Sequence, residues 1–171
     1  MATPHYELDA HCKAILAEYR EHLPEFEKAA EDVHASLKEV FAEAGLVVAS
    51  IEHRVKTEKS LSGKLELKGS KYASLSDITD IVGVRVITFY SDDVDKVASA
   101  VDRLYKVDWE NSVDKRKAHE IDSFGYMSLH YICSMDGCPY RFEIQMRTVL
   151  QHAWANMNHD TGYKSGVEVP K

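Results

Sequence analysis

The sequence predicts a single mixed domain of helices and strands, and three observations carry that prediction. Residues 140–147, YRFEIQMR, alternate Tyr140, Phe142, Ile144 and Met146 with Arg141, Glu143, Gln145 and Arg147, the period of a half-buried strand. Val82, Val84, Val86, Ile87 and Phe89 mark a second strand, apolar enough to be buried on both sides. Around them lie stretches of helical period, so that strand, helix and strand follow one another as in an α/β or other mixed architecture. At 171 residues, 44% hydrophobic and 29% charged, the chain suits one globular domain with its own core.

Taken in order, residues 8–44 are rich in Ala, Glu, Lys and Leu, are interrupted by Pro24 and stop at Gly45, which predicts a helical pair. Residues 1–46 are expected to pack on the same domain whose core is formed by 47–171. This first part carries ten acidic and four basic residues, a poor footprint for a nucleic-acid backbone, although Lys13, Arg20, Lys28 and Lys38 could gather on one face. Residues 47–55 read as a strand. Between Arg54 and Lys71 six basic residues outnumber two acidic ones, a positive island in a chain of formal charge −7. Lys56, Ser60, Lys64 and Lys68 recur every four residues, so on a helix they form one stripe while Leu61 and Leu65 turn to the core. Such a stripe suits a polyphosphate, and it is equally the pattern of a solvated lysine face.

In the strand at 82–89, Arg85 demands an explanation, because a buried guanidinium costs several kcal/mol unless it is paired or meets a ligand. Asp80 at the strand's head either satisfies Arg85 or holds a divalent cation, for which one or two carboxylates plus phosphate oxygens are the usual ligands. Gly83 permits close backbone approach there. Residues 91–105, SDDVDKVASAVDRLY, predict a covering helix capped by Ser91, with Val94, Val97, Val101 and Leu104 inward. A strand, a polar loop with Lys115, Arg116 and Lys117, and another strand from about Met127 follow. Phe124, Gly125 and Tyr126 put an aromatic ring on a flexible joint, where it either stacks on a base or enters the core. Thr148 sits where a helix N-cap belongs, with Val149, Leu150, Ala153 and Met157 continuing at helical spacing.

The longest apolar runs are far too short to span a membrane, and no basic-then-apolar leader precedes them, so a cytoplasmic location away from membranes is expected. Cys12, Cys133 and Cys138 are an odd number. The last two flank a turn at Met135, Asp136 and Gly137 and are expected to stay reduced, with a zinc site as the weaker option.

Four blocks, in this order, resemble the synthetase domain of the RelA/SpoT family: Arg54-x-Lys56-x3-Ser60-x3-Lys64, Asp80-Ile-Val-Gly83-Val-Arg85, Gly125-Tyr126-Met-Ser128-Leu-His130, and Glu143-Ile-Gln145-Met-Arg147-Thr148. The segment from Trp154 to Tyr163 and Lys164 fits as well, so the similarity spans roughly residues 47–164. The resemblance implies an α+β fold similar to polymerase-type nucleotidyltransferases, a mixed, largely antiparallel sheet of about five strands flanked by helices. It implies transfer of the β,γ-pyrophosphate of ATP to the 3′-hydroxyl of GDP or GTP, making ppGpp or pppGpp and releasing AMP. It further implies that Arg54 and Arg85 sandwich the adenine, that Lys56, Ser60 and Lys64 hold the phosphates, and that Asp80 and Glu143 bind Mg²⁺, Glu143 alternatively taking the proton from the 3′-hydroxyl. On the acceptor side it implies Tyr126 stacked on guanine, His130 near the acceptor phosphates, and Gln145 and His152 at the guanine pocket; the polar loop with Lys115 and Arg116, the natural lip of a cleft, is expected to border the acceptor.

Met127 stands where alarmone makers usually show Arg or Gln. The wording FGYMSLHYI and the DKRK loop resemble the toxic small alarmone synthetases, which pyrophosphorylate the 3′ end of tRNA and imply an antitoxin partner. A catalytically idle nucleotide sensor is the remaining alternative, against which the intact Asp80 and Glu143 speak. Alarmone degradation is not expected, since the family's hydrolases use a separate helical, metal-binding domain for which 171 residues leave no room. Family members commonly continue with helices that build homo-oligomers.

Overall fold

The computed structural model describes residues 8–117 and 128–164. Helix α1, Ala10–Glu43, starts on Asp9, whose carboxylate accepts from the Cys12 N–H at 2.7 Å, and Gly45 follows it with φ +66°, a value that favours glycine. The expected helical pair is therefore one continuous helix with Pro24 inside it. Pro24 removes one hydrogen bond, but it lies on the exposed side, where water can replace the lost partner. On the other side Cys12, Ile15, Leu16 and Tyr19 before it and Phe26, Ala30, Val33, Leu37 and Phe41 after it are all buried, and that shared stripe keeps the two halves in line.

The strands are β1 (Ser50–Val55), β2 (Val82–Thr88), β3 (Lys106–Asp114), β4 (Leu129–Ser134) and β5 (Phe142–Thr148), in the sheet order β1-β2-β5-β4-β3. Only β2 and β5 run parallel, so the sheet is mixed and largely antiparallel, as the family resemblance implied. Helix α2, Glu58–Lys68, follows β1; α3, Ser91–Leu104, follows β2; α4, Val149–Lys164, follows β5 without a break. The β4–β5 turn places Gly137 at φ +79°, with the Cys138 N–H donating to the Met135 carbonyl.

One face of the sheet is the core. Val82, Val84 and Val86 of β2, Phe142, Ile144 and Met146 of β5, and Leu129 and Cys133 of β4 pack with the buried faces of α1 and α3. Alternation then puts Glu52, Arg54, Gly83, Arg85, His130, Glu143 and Gln145 on the opposite face. Strand β2 is shorter than expected, ending at Thr88 and leaving Phe89 53% exposed, and the cap of α3 is Tyr90 rather than Ser91.

The start of α4 sets its orientation. Thr148 Oγ1 accepts from the Gln151 N–H at 3.2 Å while Gln151 Oε1 accepts from the Thr148 N–H at 2.8 Å, a reciprocal cap. That cap turns Gln151 inward and fixes the phase of the helix, so Val149, Leu150, Ala153 and Met157, which do continue at helical spacing, face outward. No helix among the described residues is long and apolar enough to cross a membrane.

Candidate active site

Pairing across the sheet sets the site. Cα partners run Glu52–Arg85–Gln145–His130 in one row and Arg54–Gly83–Glu143–Ile132 in the next. Residues remote in sequence thus share one face, spaced at the interstrand distance of about 4.7–4.9 Å. The bare Gly83 leaves room beside Glu143, and the Arg54 side chain lies over it: a Cβ there would meet Arg54 Nε at 3.7 Å. Glu52, Arg54, Gly83, Arg85 and Gln145 line a cleft on this face.

Just before β2, Asp80 takes two lysines of the island, Lys64 at 2.7 Å on Oδ1 and Lys56 at 3.1 Å on Oδ2. Lys56 precedes α2 rather than lying on it, and its backbone is fixed on both sides: its N–H donates to the Ile81 carbonyl and its carbonyl accepts from the Tyr19 hydroxyl, each at 2.7 Å. Thr57 caps α2, which buries Leu61 and Leu65 and turns Lys64 to Asp80. Ser60 is exposed on the first turn, and Lys68 is exposed at the far end. Burial raises the Asp80 carboxyl, but the hydrogen bond from Lys64 and the charge of Lys56 outweigh it and hold the group below its ordinary value. For Lys64, burial lowers and Asp80 raises, with a net rise. Asp80 is therefore satisfied by lysines and not by Arg85, whose partner is Glu52 at 3.4 Å across the β1–β2 pair.

Glu143 stands in the next row. Its Oε1 is 2.7 Å from His130 Nδ1, its Oε2 accepts from Gln145 Nε2 at 3.2 Å, and Ser128 Oγ lies 2.6 Å from His130 Nε2. The Glu143 carboxyl is raised by burial and by the nearby Asp80 charge, yet His130 and Gln145 prevail and hold it below the usual range. Two carboxylates 63 positions apart in sequence, 143 against 80, thus sense one another, and both are ionised. Glu143 is not part of an arginine ladder, since Arg141 is occupied by Asp108 at 2.7 Å.

On the far side of Arg85, Arg147 Nη2 contacts His152 Nδ1 at 2.8 Å. Burial and then the charges of Arg147 and Arg85 keep His152 below its ordinary value, while burial and Arg85 do the same to Arg147. The Nε atoms of Arg85 and Arg147 are buried without a hydrogen-bond partner, two donors that a ligand could satisfy. Gln145 falls between Arg85 and His130, bordering both sides of the row. Lys115 is exposed at the end of β3, its N–H on the Ser128 carbonyl at 3.1 Å. Arg116 is committed elsewhere, to Asp114 at 2.9 Å and to Asp95 of α3 at 2.8 Å, which raise it further. Tyr126, with Met127, lies outside the described residues.

Sequence reasoning gave no role to Glu52 or Ser128. Each sits two positions from a named residue on a strand or at its edge, Glu52 from Arg54 and Ser128 from His130, and that period of two is the signal that finds them. Among the described residues no group of three or more His, Cys, Asp or Glu side chains could hold a metal, and the three cysteines are free. Asp80 and Glu143 form a two-carboxylate set, which fits a magnesium ion completed by phosphate oxygens and water better than a caged ion.

Residues 53–168 match the family pattern described as the region found in RelA / SpoT proteins. A GTP pyrophosphokinase of Bacillus subtilis is 33% identical over 138 residues, 71% of this chain and 62% of that protein, so the match spans less than two thirds of the relative's own length. Among solved structures, small alarmone synthetase 2 of Bacillus subtilis superimposes with TM-score 0.74 at 26% identity, covering 90% of this chain and 85% of the other. Small alarmone synthetase 1 of the same organism, bound to its product pppGpp, gives TM-score 0.72 at 22% identity over 90% and 84% of the two chains, a likeness of fold.

Proposed function

Because the chain belongs to the RelA/SpoT family, we propose that it is a pyrophosphokinase moving the β,γ-pyrophosphate of ATP to the 3′-hydroxyl of GDP or GTP. The reading rests above all on one observation: Asp80 and Glu143, remote in sequence, are brought within electrostatic reach of one another on the face that carries Lys56, Lys64, Arg54 and Arg85. That is the constellation such a transfer needs, anionic oxygen for a cation beside fixed positive charge for a triphosphate.

In this reading Lys56, Ser60 and Lys64 bind the phosphates, and the lysines exchange Asp80 for phosphate oxygens when ATP arrives. Arg54, lying over Gly83, and Arg85 hold the adenine between them, and the buried, unpartnered Arg85 Nε is a donor that the bound nucleotide would satisfy. Asp80 and Glu143 would hold Mg²⁺, which when bound offsets the charge of the phosphates. Glu143, ionised in the free protein, accepts the proton of the 3′-hydroxyl. The 3′-oxygen then bonds to the β-phosphorus, the bond from that phosphorus to the oxygen bridging the α-phosphate breaks, and AMP leaves with the electron pair. Tyr126 stacks on the guanine, and His130, Gln145, His152 and Lys115 border the acceptor.

A transfer assay with γ-labelled ATP and Mg²⁺, offering GDP, GTP and deacylated tRNA side by side, tests the proposal. Label in ppGpp or pppGpp with stoichiometric AMP is the expected result. Label on tRNA alone would replace the acceptor in this reading, and release of no AMP under any condition would overturn it.

A further inference from the structure

Ser128 is 6% exposed, at the start of β4, and its carbonyl is tied to the Lys115 N–H at 3.1 Å. Its hydroxyl lies 2.6 Å from His130 Nε2, and the opposite nitrogen of the same ring lies 2.7 Å from Glu143 Oε1. The three groups form one line from the β3–β4 junction to the carboxylate at the centre of the site. The side chains of His130 and Glu143 are 17% and 15% exposed, so water has little access to compete for these bonds.

Hydrogen-bond inventory decides the direction. An ionised carboxylate only accepts, so Nδ1 must carry the hydrogen that meets Oε1. In a neutral ring Nε2 is then the acceptor, and the Ser128 O–H is placed to donate to it. We propose that Ser128 is a positioning residue, whose hydroxyl fixes His130 in the Nδ1–H form and thereby holds the Glu143 carboxylate in its working orientation. The inference rests on the reading above in which Glu143 is the working carboxylate.

With Oε1 held by His130, Oε2 is the oxygen left toward Gln145 and the acceptor side. Without the Ser128 hydroxyl the ring is free to take the Nε2–H form. A lone pair of Nδ1 would then oppose a lone pair of Oε1, the contact would open and the carboxylate would turn. Neither Lys56 nor Lys64 touches this line; both are engaged with Asp80. The consequence falls on the chemical step rather than on ATP binding, because none of the three groups lines the cleft between Arg54 and Arg85.

The test pairs a spectroscopic measurement with kinetics. Long-range ¹H–¹⁵N correlation spectra of the full chain are expected to show His130 in the Nδ1–H form, and Ser128→Ala to shift it to a mixture with Nε2–H. In the transfer assay Ser128→Ala is expected to lower kcat about 10–100-fold, the range typical of lost orienting contacts, with the KM for ATP within about twofold of wild type. Ser128→Thr, which keeps the hydroxyl, should keep the Nδ1–H form. An Nε2–H ring in the wild-type protein would overturn the proposal without any variant. So would a Ser128→Ala protein that folds, keeps the Nδ1–H form and turns over at the wild-type rate. If the wild type transfers label to no acceptor, the reading of function fails, while the ring spectra still decide what Ser128 does.

Discussion

Asp80→Asn is expected to weaken the fold as well as to stop transfer, and the structure supplies the size of the effect. The carboxylate accepts from Lys64 at 2.7 Å and from Lys56 at 3.1 Å, and the three side chains are only 26%, 25% and 12% exposed. Replacing it with an amide keeps the shape and leaves two ammonium groups facing one neutral side chain. Breaking a fully buried pair costs about 3–5 kcal/mol, and an exposed pair is worth about 0–1 kcal/mol. At roughly a quarter exposure the loss should fall between, about 2 kcal/mol, a sizeable part of a typical stability of about 5–15 kcal/mol. The assay is urea denaturation at pH 7 with the Lys64→Met variant and the double variant. Removing Lys64 in the Asp80→Asn background relieves the repulsion and should recover about 1 kcal/mol, and raised salt should narrow every difference. The sign with pH follows from the lowered carboxyl: its contribution is present above the ordinary carboxylate range of about 4 and disappears as pH falls through the depressed folded value. The stability gap between wild type and Asp80→Asn should therefore hold from neutral pH down to that range and close below it. A variant as stable as wild type at pH 7, with no coupling to Lys64→Met, would show that Asp80 does not anchor the lysines in the free protein.

Arg85→Ala should raise the KM for ATP several-fold, on the cation–ring scale of about 0.5–2 kcal/mol, with the urea midpoint nearly unchanged because the side chain is partly exposed and its ion pair with Glu52 is long, at 3.4 Å; equal KM values would remove it from the adenine site. Thr148→Ala should cost about 1 kcal/mol in denaturation experiments, since it deletes one half of the reciprocal cap that sets the phase of α4. At pH 8 a thiol reagent should modify Cys138 first, because burial pushes Cys133 up to about 12 and also raises the buried Cys12; mass spectrometry of the peptides reads the order, and early labelling of Cys133 would contradict its burial in β4.

Much of this protein is written in its local pattern. Alternation over 140–147 determined β5 and its core face, as Phe142, Ile144 and Met146 show, and the valines over 82–86 determined β2. The cap at Thr148, the turn at Gly137 and the inward Leu61 and Leu65 were equally legible, because each depends on neighbours within four residues. What the sequence could not settle was anything decided by surroundings. Pro24 sits inside one long helix because its far side is wet and a shared apolar stripe runs past it. The apolar residues of α4 point outward because a side-chain cap, not hydrophobicity, fixes where that helix begins its turn. Asp80 chose two lysines over Arg85, and Glu143 chose His130 over its neighbouring arginines, because strand register and not sequence distance determines which charges meet. Residue type and spacing are local properties, whereas the partner of a charge is a property of the assembled sheet.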